Sequence, residues 1–365
     1  MPEPFKNLIN PATVRSLAER MAETGRFQKD AFVGDATDGL EDLELKDRIR
    51  HIAAALDRHL DDDYELALDH VLKSLPPEAG EDEAIGTGFA TWAFCQFVET
   101  YGQDHLELSV AAMYEITKRF SCEFAIRPYI AAEPQRLLEV LRTWAHDENV
   151  HVRRLVSEGS RPRLPWGMGL KIFQHDPEPV IALLDLLKDD PSEYVRRSVA
   201  NSLNDIAKDH PDKVVEVAKR WMTNAPPERK RLVKHALRSL IKNGHSGALE
   251  LFGYGAPDIS VQFQLTNKRV ELGDSVEFEV DVTCKSDQSL LLDYAVHHMK
   301  ANGKLTPKVF KWTTRKVSAG DVLSLTRKHA MKVVTTRKYY AGTHKIELLI
   351  NGQSFGEEEF ELYLP

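Results

Sequence analysis

The sequence is poor in cysteine and has no long apolar run. Its three cysteines, Cys95, Cys122 and Cys284, are odd in number and far apart in the 365-residue chain. They predict neither a disulfide framework nor a CxxC metal site, and they fit a reducing cytoplasm. A membrane span needs about 18 consecutive apolar residues, which this sequence does not contain. The first residues also lack the apolar core of a signal peptide, so we expect a cytoplasmic protein.

Common catalytic signatures are absent as well. The sequence contains no GxGxxG, P-loop, HExxH or GxSxG motif, and its 14 histidines are scattered without the spacing of metal ligands. His297 and His298 are adjacent in a predicted strand, so their rings point to opposite faces. We therefore expect neither a metal nor a cofactor.

The chain is acidic overall, with a formal net charge of −8, but its charge is unevenly distributed. Residues 1–117 carry 10 basic and 24 acidic residues, whereas residues 118–242 carry 23 basic and 17 acidic residues. A polyanion responds to local charge because the Debye length is only about 8–10 Å. The second region therefore predicts a nucleic-acid partner. The alternative is an uneven scatter of solvated charges without function.

Between about residues 104 and 252 the sequence repeats a helical unit. Asp147, Val152, Arg153, Arg154 and Val156 recur 43 residues later, and a weaker third copy follows at an offset of 34 residues. Repeats of about 35–47 residues built from helix pairs are typical of HEAT- or armadillo-like solenoids. We therefore predict an α-solenoid of HEAT-like repeats over residues 1–255. The repeated arginines are expected to line its concave surface.

After residues 253–257 (GYGAP) the pattern changes to a period of two. Residues 276–282 and 345–350 alternate apolar and polar side chains, and Asn351-Gly352 has the composition of a hairpin turn. About seven short strands predict an all-β immunoglobulin-like sandwich over residues 259–365, which makes the protein multidomain, α followed by β. The basic clusters of the sandwich can contact a phosphate backbone or can merely keep the domain soluble.

Residues 151–166 (HVRRLVSEGSRPRLPW) combine charges of both signs at the end of a predicted helix. Val152, Leu155 and Val156 give that helix an apolar face, and Gly159 ends it before a proline-stiffened loop. Glu158 thus lies at a helix C-terminus, where the helix dipole disfavours an anion unless a cation compensates it. The segment predicts a site for a ligand with negative phosphates outside and a positive centre within.

Two further carboxylates occupy comparable places. Glu123 lies among apolar and aromatic residues, where an acid is costly without a partner. Asp205 lies at the end of the next repeat's helix, much as Glu158 ends its own. Each alone has a structural explanation, either an intrahelical ion pair or a turn. On successive repeats that face one groove, the three together predict an active site.

Several stretches of the helical region carry a family resemblance. They are Phe5, the segment Leu45-Lys46-Asp47-Arg48, Glu123 within EFAIRPY, the run RRLVSEGSRPRLPW, and Asn204-Asp205. These stretches are similar to the AlkC-type alkylpurine DNA glycosylases, which belong with the AlkD-type enzymes among HEAT-like-repeat DNA repair proteins. The resemblance covers about residues 1–255, and part of that family carries a C-terminal immunoglobulin-like domain.

The resemblance implies a monofunctional DNA glycosylase of base excision repair, acting as a monomer on double-stranded DNA. Its implied substrates are cationic N-alkylated bases, namely 3-methyladenine and 3-methylcytosine with 1-methyladenine as a further candidate, removed without base flipping. Its implied catalytic residues are Glu123, Glu158 and Asp205, with Trp166 as the lesion contact. Its implied phosphate-binding residues are Arg154, Arg161, Arg163 and Arg197.

Residue chemistry agrees with this interpretation, and two others stay open. An alkylated base leaves as a neutral molecule, and carboxylates can stabilise the positive charge that develops on the sugar. No lysine is expected among the carboxylates, so we predict simple hydrolysis to an abasic site. The alternatives are a non-catalytic HEAT-repeat protein that binds damaged or bent DNA, and a protein-interaction scaffold. Glu158 discriminates between them, because DNA binding alone has no use for it.

Overall fold

The structure, a computed structural model, describes residues 4–81, 88–335 and 337–364, which form two compact units. The first unit comprises the described residues of Met1–His210 and Asn224–Ala236, and the second those of Pro211–Thr223 and Leu237–Pro365. This division differs from the predicted boundary near residues 255–259, because three helices before that point group with the strands. Where the folding domains divide stays a prediction.

In the described residues, the helical part contains sixteen α-helices and three short 3-10 turns. The 3-10 turns are Phe5–Leu8, Leu40–Asp42 and Phe89–Thr91. The α-helices are α1 (Pro11–Thr24), α2 (Lys29–Thr37), α3 (Leu45–His59), α4 (Tyr64–Lys73), α5 (Trp92–Tyr101), α6 (Leu106–Thr117), α7 (Ile126–Ala132), α8 (Pro134–Trp144), α9 (Val150–Gly159), α10 (Lys171–His175), α11 (Glu178–Leu187), α12 (Glu193–Ile206), α13 (Pro211–Met222), α14 (Pro227–Ala236), α15 (Arg238–Lys242) and α16 (Ser246–Glu250). Among the described residues, no helix is long and apolar enough to cross a bilayer.

Side-chain caps determine where several helices begin. Asn10 accepts hydrogen bonds from the backbone amides of residues 12 and 13 at the start of α1, with Pro11 in the first helical position. Asn149 and Ser192 do the same at the starts of α9 and α12. These two caps are 43 residues apart, so the sequence repeat includes the signal that starts the second helix of each pair.

Residues 40–60 and 84–101 have apolar patterns that predict helices, and both helices begin later than these patterns predict. The helix predicted over residues 40–60 is a 3-10 turn followed by α3, because Leu43 and Glu44 are extended. The helix predicted over residues 84–101 is α5, and residues 84–87 lie outside the described residues. Phe94 and Phe97 are buried as expected, whereas Phe89 is only half-buried.

The first arginine of each repeated pair stabilises a turn. Arg153 Nη1 donates to the carbonyl of Asp147 at 3.0 Å, and Arg196 Nη1 donates to the equivalent carbonyl of Asp190 at 2.5 Å. Both bonds satisfy carbonyls in the connection before the second helix of the pair. Repetition of these two arginines is therefore explained by local structure.

Eight strands make two sheets in the second unit, which confirms the predicted sandwich. The three-stranded sheet has the order β1-β3-β6 and the five-stranded sheet has the order β2-β8-β7-β4-β5. The strands are β1 (Ile259–Leu265), β2 (Arg269–Glu271), β3 (Ser275–Cys284), β4 (Gln288–Met299), β5 (Leu305–Val317), β6 (Val322–Ala330), β7 (Gly342–Ile350) and β8 (Gln353–Tyr363). Alternation in β3 and β7 places every second side chain in the core between the sheets.

The predicted hairpin turn joins β7 to β8. Asn351 and Gly352 have φ values of 48° and 76°, which a tight turn of this type requires at both positions. Asn351 Nδ2 donates to the carbonyl of Gly255 at 2.8 Å. A Cβ on Gly352 would lie 2.5 Å from the Cα of Gly244, between α15 and α16, so only glycine fits there. The turn therefore packs directly against the helices of its own unit.

Candidate active site

Helix α9 positions the first part of the site. Val152, Leu155 and Val156 are fully buried, as the apolar pattern predicts, so the orientation of the helix is fixed by its core face. Arg154 and Glu158 are four residues apart and therefore lie on one side of the helix. Glu158 is 5% exposed and follows the expected placement at the C-terminal end of the helix.

Two arginines join the three predicted carboxylates into one cluster. Arg154 Nη1 donates to Glu123 Oε2 at 2.8 Å, and Arg154 Nη2 lies 3.6 Å from Glu158 Oε2. Arg161 Nη1 donates to Glu158 Oε1 at 2.6 Å, and Arg161 Nε donates to Asp205 Oδ2 at 2.7 Å. We call Glu123, Glu158, Asp205, Arg154 and Arg161 the carboxylate cluster. Residues separated by up to 82 positions in the sequence thus share one site.

The carboxylate cluster has an excess of negative charge. It contains three carboxylates and two guanidiniums, and the side chains of Glu123, Glu158 and Asp205 are only 17%, 7% and 4% exposed. Charges in such surroundings are screened much less than on an open surface. The carbonyl end of α9 adds further negative potential next to Glu158. The cluster therefore favours a cation or a group that becomes cationic.

A lysine also reaches the cluster, contrary to the prediction that none would. Lys208 Nζ donates to Asp205 Oδ1 at 2.9 Å. The two residues are three positions apart, at and just after the end of α12, and the lysine side chain is half exposed. Its ammonium lies at the solvent side of the buried pairs. The spacing i, i+3 brings Lys208 to Asp205 across the end of the helix.

Glu158 remains ionised despite its burial. Burial alone would raise the pKa of its carboxyl, but the charges of Arg154 and Arg161 and a hydrogen bond from Ser198 outweigh burial and hold the pKa below its ordinary value. The same ion pairs raise the pKa of Arg161 against the opposing effect of burial. Glu158 is therefore an anion at neutral pH, as electrostatic stabilisation of a cation requires.

Two serines orient the Glu158 carboxylate. Ser198 Oγ donates to Glu158 Oε2 at 2.6 Å and in turn accepts from Ser157 Oγ at 2.8 Å. Both serines are buried. With Arg161 on its other oxygen, the carboxylate has a partner on each side, so its orientation is set before any ligand arrives. The sequence pattern carried no signal for these hydroxyls.

Arg127 supports the loop that follows α9. It is fully buried, and its guanidinium donates to the carbonyl of Gly159 at 2.8 Å and, through Nε, to the carbonyl of Met168 at 2.8 Å. Burial lowers its pKa to about 10, and the nearby Arg161 adds to this effect. Arg127 thus joins the two ends of the segment Gly159–Met168, which carries Arg161, Arg163 and Trp166.

Trp166 is the exposed tip of that loop. Its side chain is 66% exposed, which is unusual for an indole and leaves its ring free to contact a ligand. Its φ of 65° is in the left-handed region, which costs an L-residue about 1–2 kcal/mol. Lys46 Nζ donates to the carbonyl of Trp166 at 2.8 Å. Strain of this kind persists where surrounding contacts impose it, and it is common at functional sites.

The four arginines predicted to bind phosphates divide into two kinds. Arg154 and Arg161 are largely buried and engaged by carboxylates of the cluster. Arg163 is more exposed and pairs with Asp209, and Arg197 is exposed and pairs with Glu193. Phosphate contact stays a prediction for all four. The exposed pair fits it better, because the buried pair already holds the carboxylates.

Arg197 lines a surface cavity of about 370 Å³ between α12 and α14. Arg196 and Arg231 also line this cavity, so three guanidiniums converge there, together with Glu193 and Glu228. Arg231 is the third-repeat equivalent of Arg197. Arg197 and Arg231, which are equivalent in the repeat, therefore lie on a common surface.

An aromatic cavity of about 190 Å³ adjoins Glu123. Phe120, Phe124 and Tyr194 line it, and the guanidinium of Arg154 lies 4.9 Å from the centre of the Tyr194 ring. These apolar surroundings strengthen the electrostatic interactions of Glu123 and Arg154.

Within the described residues, one group of side chains could hold a metal ion. It consists of His297, Glu347 and Glu357 in the second unit. His297 Nε2 lies 2.8 Å from Glu347 Oε2, and Lys345 Nζ lies 3.3 Å from Glu357 Oε2. Lys345 therefore supplies a cation to these carboxylates, and we assign no metal to the group.

Both the helical part and the sandwich of this chain match known protein families. Residues 117–246 match the family described as DNA alkylation repair enzyme, and residues 260–364 match the C-terminal Ig-like domain of the uncharacterised protein YhaZ. The chain is 38% identical to the uncharacterised protein YhaZ of Bacillus subtilis strain 168, over 98% of this chain and 99% of the relative. It is also similar to the alkylpurine DNA glycosylase AlkC of Pseudomonas fluorescens, solved bound to DNA containing an abasic site analog. That similarity has a TM-score of 0.89 and 36% identity, and it covers 99% of this chain and 100% of AlkC.

Proposed function

Since the chain belongs to the AlkC-type family of DNA alkylation repair proteins, we propose that it is a DNA glycosylase that removes cationic N-alkylated bases from double-stranded DNA. The proposed substrates are 3-methyladenine and 3-methylcytosine, with 1-methyladenine as a further candidate. The proposed reaction is hydrolysis of the N-glycosidic bond without base flipping.

The observation that carries this proposal is the composition of the carboxylate cluster. Alkylation at N3 gives the base a positive charge, so the base departs as a neutral molecule and needs no general acid. Positive charge then develops on the deoxyribose, and a preorganised anion stabilises it in the transition state. Three carboxylates against two guanidiniums supply that anion, and the arginines and serines hold it in place.

The three carboxylates are suited to different parts of the reaction. Glu123 is the most exposed and borders a cavity, so it is the one best placed to touch the sugar or the attacking water. Glu158 and Asp205 are held more deeply by Arg161 and maintain the local potential. Trp166 presents an exposed aromatic face, to which a cationic base is attracted by about 0.5–2 kcal/mol.

Hydrolysis to an intact abasic strand stays the proposal even though Lys208 lies at the cluster. An amine must be deprotonated to attack C1′ and form a Schiff base. Lys208 instead donates a hydrogen bond from its ammonium to Asp205. We therefore assign it to charge compensation at the exposed edge of the site.

Release of a free base from methylated duplex DNA tests the function directly. We expect 3-methyladenine or 3-methylcytosine to appear in solution and the strand to be cut only after alkali treatment. Borohydride added during the reaction should trap no protein–DNA adduct. Failure to release either base would leave the non-catalytic damaged-DNA binder as the better interpretation, and a trapped adduct would assign Lys208 a covalent role.

Replacing Arg197 with alanine should weaken DNA binding on every sequence and reduce its dependence on salt. A guanidinium at a phosphate releases counterions, so its loss lowers the slope of log K against log[salt] by about one unit. Fluorescence anisotropy of labelled duplexes at several salt concentrations measures this slope. Lys73→Met is a matched control, because Lys73 is an exposed cation paired within its own helix with Asp69. An unchanged slope for the Arg197 variant would remove that residue from the phosphate contacts.

A further inference from the structure

The segment Gly159–Met168 is held at both ends, and its residue with a left-handed backbone conformation, Trp166, lies between these ends. Arg127 bonds to the carbonyls of Gly159 and Met168, and the Leu164 side chain is buried. Trp166 lies between Leu164 and Met168 with its φ of 65°. The Gly167 amide donates to the Leu164 carbonyl at 3.1 Å and closes a turn around Pro165 and Trp166, which accounts for the left-handed conformation of Trp166. A further contact ties the tip of this turn to the rest of the site.

Lys46 of α3 makes that contact. Its ammonium donates to the Trp166 carbonyl at 2.8 Å and lies 4.9 Å from the centre of the Phe124 ring. Phe124 directly follows Glu123, so Lys46 bridges the tip of the loop and the segment that carries a carboxylate of the cluster. The ammonium is partly buried, and its pKa is lowered by desolvation and raised in part by Glu99. A buried, charged donor on one carbonyl is a strong and directional contact.

We propose that Lys46 is a positioning residue, which ties the carbonyl of Trp166 to α3 and Phe124 and thereby fixes the exposed indole relative to Glu123. This inference rests on the proposed function, since the fixed indole matters to the reaction only if Trp166 meets the lesion. Lys46 itself need not touch DNA. Its loss should free the tip of the loop, let the indole adopt several orientations and lower the fraction of complexes with the lesion correctly placed.

The first arm of the test measures the order of Trp166 without any substrate. Of the tryptophans, Trp92, Trp144 and Trp221 are buried, so the fluorescence difference between the protein and its Trp166→Phe variant isolates the exposed indole. In Lys46→Met, the anisotropy of that difference signal should fall and its quenching by acrylamide should rise. Lys46→Arg, which can still donate to the carbonyl, should restore both values, and Lys73→Met should leave them at wild-type values. An unchanged anisotropy in Lys46→Met would overturn the proposal, whatever the activity.

The second arm measures single-turnover base release. Lys46→Met should slow release about tenfold, the effect expected for loss of one charge-assisted hydrogen bond that acts in the complex. Lys46→Arg should restore most of the rate, with affinity for undamaged DNA unchanged in both variants. In a Trp166→Ala background, Lys46→Met should have little further effect, because no indole is then left for Lys46 to position. If the two substitutions instead lower the rate of base release by factors that multiply in the double variant, Lys46 acts independently of Trp166. If the unmodified protein releases no base, the proposed function fails, and the fluorescence arm alone then decides whether Lys46 positions Trp166.

Discussion

Glu158→Gln is expected to slow base release by about 10²–10³-fold, as loss of one preorganised electrostatic contact does in other enzymes. Glutamine has nearly the same shape, and its amide oxygen can still accept from Arg161 while its amide nitrogen donates to the Ser198 hydroxyl, so the site should keep most of its geometry. The change removes one of three negative charges and leaves two carboxylates against two guanidiniums. The cluster then has less negative charge with which to stabilise a cationic sugar. DNA affinity should stay close to the wild-type value.

Asp190→Asn is the matched control for this prediction. Asp190 is also a buried carboxylate in a close arginine pair, with Arg153 Nε 2.7 Å from its Oδ2, but it lies outside the carboxylate cluster. It should lose stability without a comparable loss of rate. Rates come from single-turnover release of methylated base, and affinities from binding to an unmethylated duplex. If Glu158→Gln weakens binding as much as it slows release, the carboxylate holds the fold and the catalytic assignment is wrong.

Arg161→Met is expected to destabilise the helical unit by about 3–5 kcal/mol, because it leaves buried carboxylates without their counter-charge. Arg161 pairs with both Glu158 and Asp205, and methionine can replace its volume but none of its hydrogen bonds. The cluster would then hold three carboxylates and one guanidinium. Glu158→Gln removes a negative charge from the cluster, whereas Arg161→Met removes a positive one. The two variants should therefore differ strongly in stability, although each replaces a side chain by one of similar size.

Arg163→Met provides the comparison, since Arg163 lies two residues away on the same loop. Its pair with Asp209 is exposed on the arginine side, and exposed pairs contribute little to stability. Urea unfolding followed by the helical circular dichroism signal measures both variants. Equal losses for the two arginines would mean that the buried pairs of Arg161 contribute no more than a surface ion pair.

The sequence predicted where two of the three carboxylates lie, because these two occupy comparable places in successive repeats. Glu158 and Asp205 both lie at the end of a second helix, and the apolar faces of α9 and α12 fix which way those helices turn. Period and capping are local signals, and they predicted the class of fold and the change from helices to strands near residue 255. They also placed Asn351-Gly352 in its turn.

The roles of the arginines could not be predicted in this way. Arg154 and Arg197 are equivalent in the repeat, yet one lies between two buried carboxylates and the other is exposed beside Glu193. The difference depends on Glu123, which comes from a segment outside the repeated pattern. Contacts of Arg127, Ser198 and Lys46 likewise join parts of the chain far apart in sequence, and a single sequence gives no measure of such distances.

The turn at Asn351-Gly352 has a consequence for how such proteins are built. It packs against the connection between α15 and α16, and those helices group with the strands instead of with the repeats before them. A relative that lacked the sandwich would have to cover these helical surfaces with other apolar side chains or replace them with charged ones. A chain cut at residue 259 would therefore leave the connection between α15 and α16 without the turn that packs against it.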